Sequence, residues 1–137
     1  MTGHALQTAL DYHRAWSRHD VDAAMALVAD DVVCDAPGGP VTGIDAFRAF
    51  MGPFATSTTR TEILGAFGDD DTAVVLYDTD STLVRHAPGA EWVRVAGGRI
   101  THMTMAVSTG QRTTVPVAPG RRWWSRREGG RRWQRMP

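Results

Sequence analysis

Two hydrophobic periodicities divide this chain, and their order constrains its fold more than any other feature: helical spacing comes first, strand alternation follows. Ala5, Ala9, Tyr12 and Trp16 share one stripe of a helix over 5–17, with Gln7, Asp11, Arg14 and Arg18 largely elsewhere. Asp20 is placed to cap a second helix carrying Ala23, Ala24, Leu27 and Val28, and the short polar pair Asp30-Asp31 is expected to end it. Strand segments are expected at 32–36, 59–67, 72–83, 91–95 and 99–107, separated by turns at Gly68-Asp69-Asp70-Asp71, Pro88-Gly89 and Gly97-Gly98. Helices followed by a meander of strands predict an α+β arrangement, with helices covering one face of a curved antiparallel sheet.

A length of 137 residues and an apolar content of 42% suit a single core. Apolar runs are only a few residues long, and the N-terminus lacks the basic and apolar regions of a signal peptide, so we expect no membrane span and a cytoplasmic location. The lone Cys34 excludes an intrachain disulfide and a thiolate cluster. His4, His13, His19, His86 and His102 show no paired ligand spacing, so a metal site is not expected. All 15 basic residues are Arg, which excludes a lysine Schiff base. No phosphate loop, nucleotide fingerprint or haem motif appears, and no cofactor is implied.

The net charge of zero conceals an asymmetry. Residues 121–137 carry seven of the 15 arginines and one of the 15 acids, giving +6 against −6 for residues 1–120. We place a domain boundary near Gly110, with an α+β domain at 1–110 and a Pro/Gly linker and Arg/Trp-rich tail at 111–137. Like charges repel, so the tail is expected to be flexible. Trp123, Trp124 and Trp133 among the arginines leave open a nucleic-acid or membrane-surface role, or docking onto the acidic body or a partner subunit.

The stretch from Tyr12 to Phe54 resembles the opening of SnoaL-like and ketosteroid-isomerase-like proteins, which share the nuclear transport factor 2 fold. The resemblance rests on Asp20 and Asp22, Asp30-Asp31, the segment Val32 to Ala36, the turn Pro37-Gly38-Gly39, and Gly43-Ile44-Asp45-Ala46-Phe47-Arg48-Ala49-Phe50. A second segment, from Glu91 to Val107, extends it over most of residues 5–108. It implies a cone-shaped antiparallel sheet closed by the N-terminal helices around an apolar pocket, and homodimerisation through the outer sheet face.

In ketosteroid isomerases a tyrosine and a protonated acid donate hydrogen bonds to a developing enolate while a second carboxylate moves the proton. Tyr12 matches that tyrosine by its spacing to Asp20, and Glu91 matches the protonated acid. A phenol remains a donor at neutral pH, and a desolvated carboxyl becomes one, but the adjacent Pro88-Gly89 equally suits Glu91 as a strand-end glutamate in solvent. At the position of the base the match places Ala36, with Asp35 one residue earlier. Alternation turns Asp35 outward if Cys34 and Ala36 face in.

Another carboxylate pair is available in VVLYDTDST. Val74, Leu76, Asp78 and Asp80 share one strand face, and Ala73, Val75, Tyr77, Thr79 and Ser81 the other. Alternation alone does not say which face lines the cone. Limonene-epoxide-hydrolase-like relatives join such carboxylates to an arginine, and the nearby candidate is Arg85. His102 is mid-strand but faces outward if Met103, Met105 and Val107 line the pocket. The resemblance implies a lining of Trp16, Phe47, Phe50, Met51, Phe54, Met103 and Met105, suited to a hydrophobic organic molecule.

Two function classes follow. One is a small cofactor-independent enzyme of isomerase, cyclase or epoxide hydrolase type, acting by general acid/base catalysis on a polyketide-, terpenoid- or steroid-like substrate. Its candidate catalytic residues are Tyr12, Asp35, Asp78, Asp80 and Glu91. The other is a non-catalytic module of the same fold that binds a ligand or a protein.

Overall fold

The computed structural model describes residues 3–107, 124–126 and 133–135. Helix α1 (His4–Ser17) leads into a short helix α2 (Val21–Met25), whose cap is the Asp20 carboxylate accepting from the Ala23 amide at 3.0 Å. Strand β1 (Val28–Ala36) turns at Pro37-Gly38 into β2 (Gly39–Thr42), and α3 (Ile44–Ser57) follows. Four strands complete the domain: β3 (Thr58–Gly68), β4 (Thr72–Ser81), β5 (Ala87–Ala96) and β6 (Arg99–Val107). The glycine between β2 and α3, Gly43, has φ +88 while its amide donates to the Val32 carbonyl at 2.7 Å. That left-handed turn suits glycine.

The six strands form one curved sheet in the order β2-β1-β6-β5-β4-β3. All neighbours are antiparallel except β1 and β6, which run parallel, so the sheet is mixed rather than purely antiparallel. Helix α1 lies across its concave face. The apolar stripe Ala5, Ala9, Tyr12 and Trp16 is fully buried there, against Val75 and Tyr77 of β4 and Val93 of β5 in the same core. The α1 start is tied to the β3–β4 turn by Asp69 and Asp70, which accept from the amides of Ala5 and His4. The helices thus close the cone that the sheet begins.

Two boundaries differ from the sequence-based expectation. Asp30 and Asp31 do not end α2; they lie within β1. The segment from Val28 is drawn into the sheet by pairing with β6, Val28 opposite Ile100, and this long-range ladder overrides a local helical pattern. Pro88 and Gly89 are likewise not a turn but part of β5. Pro88 is paired with Asp78 of β4 and precedes the start of β5–β6 pairing at Gly89, a strand-end position that tolerates its missing N–H. The reversal lies instead at 82–86, where the Ser81 hydroxyl accepts from the amides of Leu83 and Val84.

Two short strands, β7 (Trp124–Arg126) and β8 (Trp133–Arg135), pair antiparallel within the basic tail, where the sequence shows no strand alternation. The boundary near Gly110, the linker and the rest of the tail lie outside the described residues. No described helix is long and apolar enough to cross a membrane.

Candidate active site

Alternation along β4 and β5 decides which polar groups enter the cone. On β4 the inward face is Ala73, Val75, Tyr77 and Thr79, all buried. On β5 the inward positions include Glu91, Val93 and Val95. Glu91 is 1% exposed and is the one fully buried acid among the described residues. Loss of water around the carboxyl pushes it up to about 8, against a smaller downward effect of its contact with Tyr77. It is therefore mostly a neutral acid at pH 7. The Tyr77 hydroxyl donates to Glu91 Oε1 over a long 3.4 Å.

Tyr12 approaches the same interior from α1. Its side chain is fully buried and its hydroxyl has no hydrogen-bond partner within the protein. Burial raises it well above the ordinary phenol range, and the charges of Glu91, Tyr77 and Cys34 raise it further. Tyr77 is raised by burial and by Glu91. The Cys34 thiol is pushed to about 11, first by burial and then by Glu91. The interior thus gathers one carboxyl, two phenols and a thiol, all protonated near neutrality.

A separate apolar hollow of about 180 Å³ is lined by Pro37, Phe50, Met51, Phe54, Met105 and Val107, with none of these four polar side chains in its wall. Glu91 is the cross-strand partner of Met105, so the acid lies one strand in from the hollow's wall. Of the expected lining residues, Phe50, Met51, Phe54 and Met105 border the hollow. Trp16, Phe47 and Met103 are core side chains instead. Trp16 packs edge-on to Tyr77 at 5.6 Å and tilted to Phe54 at 5.3 Å, linking the hollow to the buried polar group.

Three carboxylates considered above lie elsewhere. Asp35 is exposed, because Val32 and Cys34 take the inward positions of β1. Asp78 and Asp80 fall on the outer face of β4, opposite the buried Tyr77 and Thr79. Their arginine is not Arg85 but Arg60 of β3, whose guanidinium reaches Asp78 at 2.6 Å and Asp80 at 2.9 Å. His86 Nδ1 adds a 3.1 Å contact to Asp78. Hydrogen bonds from Arg60 and the His86 amide hold Asp80 down at about 2, and those from His86 and Arg60 lower Asp78. Asp78, Asp80 and His86 could surround a cation, but the guanidinium already fills that role. His102 is on the outer face of β6, as alternation predicts.

Two interior residues escaped the sequence reading. Alternation places Tyr77 on one face of a strand but gives it no role. His13, for which the sequence offers no role beyond the lack of paired ligand spacing, is 2% exposed, with Nε2 3.0 Å from the Thr61 hydroxyl and Nδ1 unpartnered. Burial, helped by the charge of Arg14, lowers it to about 4. Its spacing from Ala9 and Trp16, four and three residues, is the signal that places it on the buried stripe.

Residues 9–103 match the family model of the SnoaL-like domain. Among solved structures, a protein of Kribbella flavida DSM 17836 is 50% identical at a TM-score of 0.74, with 75% of this chain and 85% of that one covered. An NTF-2 like protein of unknown function from Burkholderia xenovorans LB400 is 20% identical at a TM-score of 0.69, covering 77% and 83%. A steroid delta-isomerase of Pseudomonas aeruginosa is 19% identical at a TM-score of 0.65, covering 76% and 79%. No curated protein matches the sequence. With the curved sheet, the closing helices and the buried acid in place, the chain belongs to the SnoaL-like domain family and has the nuclear transport factor 2-like fold.

Proposed function

We propose that this protein is a cofactor-independent acid/base enzyme of the isomerase or cyclase type, acting on a hydrophobic substrate that carries a ketone oxygen. The observation that carries this reading is Glu91, buried beside two phenols and held at about 8. The apolar hollow receives the carbon skeleton, and the unpartnered Tyr12 hydroxyl is the donor for the ketone oxygen. In its ionised form Glu91 takes a proton from the carbon next to the carbonyl. The C–H electron pair becomes the enolate double bond, and the negative charge moves to the oxygen held by Tyr12. Protonated Glu91 then returns the proton to carbon, and Tyr77 orients the carboxyl throughout.

This arrangement uses one carboxyl where ketosteroid isomerases use two. The separation of Asp78, Asp80 and Arg60 from the hollow disfavours epoxide opening within this reading. It also includes a homodimer through the outer sheet face, supported by Leu76 and the 67% exposed Phe67 on β4 and β3.

The alternative is a non-catalytic ligand-binding module of the same fold. It is supported by the outward position of Asp35, which leaves Glu91 as the one buried acid among the described residues. Deuterium uptake at the carbons flanking the carbonyl of apolar ketones, followed by NMR in D2O, separates the two. The enzyme reading expects uptake above the buffer blank that disappears in Glu91→Gln while ketone binding persists. Ketones that bind without exchanging would establish the binding module.

A further inference from the structure

We infer that the groove between the C-terminal turn of α1 and strand β3 binds the oxyanion of a small molecule, a carboxylate or a phosphate, at a site separate from the hollow near Glu91. The groove has a volume of about 470 Å³ and is lined by His13, Arg14, Ser17, Arg18, Thr61 and Ile63. Two arginines, a serine, a threonine and a histidine therefore border it, and no acid does. Arg18 makes no ion pair among the described residues. Arg14 has a loose contact of 3.6 Å with Asp11, both side chains being about half exposed, which leaves its guanidinium free to turn toward a ligand.

The groove is closed on its inner side by His13. The His13 ring is almost wholly buried, and Nδ1 has no partner. Nδ1 is itself sealed from solvent, so a ligand in the groove does not reach it. Nε2 lies 3.0 Å from the Thr61 hydroxyl. That hydroxyl and the Ser17 hydroxyl, which donates to the His13 carbonyl, are already engaged, so the contacts to an anion fall to Arg14 and Arg18. Ile63, 37% exposed, offers an apolar surface for the carbon part of the ligand.

Charge selects an anion over a neutral or cationic group. The site lies at a helix C-terminus, where the backbone dipole repels negative charge, so the two arginines must supply the attraction. Forked guanidinium donors match the paired oxygens of carboxylate and phosphate. Binding should therefore be sensitive to salt and to either arginine.

The test titrates the full chain with benzoate and with inorganic phosphate, following amide shifts by NMR. Saturable shifts at Thr61 and Ile63 are expected, weakening about tenfold in Arg18→Gln or Arg14→Gln and weakening again as salt rises. Arg60→Gln, on the outer face, should leave them unchanged. Saturation by benzoate alone assigns a carboxylate ligand, and saturation by phosphate alone assigns a phosphate. The inference is overturned if neither probe saturates, or if the shifts survive in the Arg14→Gln/Arg18→Gln double variant.

Discussion

The Tyr77 hydroxyl points at Glu91 Oε1 across 3.4 Å, from the neighbouring strand and inside a core from which both side chains are shielded. The contact is long for an O–H···O bond, and its lowering of the acid is outweighed by burial. Glu91 is thus a carboxyl whose protonated form is favoured by the fold. Its consequences are measurable in stability and in chemistry.

Glu91 should make stability depend on pH, alongside His13, Asp78 and Asp80, whose shifts lie in the opposite sense. The folded value of Glu91, about 8, lies above the ordinary 4.5, so the folded state holds a proton that the unfolded chain has released between those limits. The contribution is complete below pH 4.5 and is lost as pH rises toward 8. Glu91→Gln, which cannot ionise, should therefore melt near the wild type at pH 4 and roughly 5 °C or more above it at pH 9. Thermal unfolding across that range checks the sign. In ketone exchange the same substitution should cost about a hundredfold or more.

Tyr12→Phe isolates function from packing. The hydroxyl is buried without a partner, so its removal leaves nothing unsatisfied and should raise stability by up to about 1 kcal/mol. Exchange on a bound ketone should fall by about tenfold to a hundredfold. Denaturant unfolding read beside exchange rates reveals whether the two effects separate as expected.

Tyr77→Phe removes the donor that lowers Glu91, so the midpoint of the exchange–pH profile should move upward from about 8. Gly89→Ala reaches the same contact indirectly. A Cβ there would lie 2.8 Å from Tyr77 Cε2 and 2.9 Å from its hydroxyl oxygen, forcing the ring aside. We expect destabilisation of about 1–3 kcal/mol together with the upward shift. A shift in one variant but not the other would separate ring position from hydrogen bonding.

Asp78→Asn and Asp80→Asn should leave exchange within about twofold of wild type, because both side chains project from the outer face toward Arg60. A loss of tenfold or more would place them in the chemistry after all.

Much of this was legible in the residues. The α1 stripe, the Asp20 cap and the Gly97-Gly98 hairpin each follow from local pattern, whereas the direction of Glu91 stays open between pocket and solvent until β5 is placed in the sheet. What escaped depends on partners remote in sequence. Period two gives two faces for β4 but does not choose between them; the choice comes from α1, which packs Trp16 and His13 against Tyr77. Arg60 reaches Asp80 through the β3–β4 register, past irregularities that a linear reading does not reveal. Asp30 and Asp31 look like a helix end until β6 supplies a parallel neighbour for β1.

That parallel pairing has a cost in time. Val33 to Asp35 lie beside His102 to Thr104, so the centre of the sheet cannot close until nearly seventy further residues have been made. Contacts of such long range slow folding. Until then β1 and its hairpin have an unpaired edge, and the acid-bearing chamber is sealed only when β6 slots between β1 and β5.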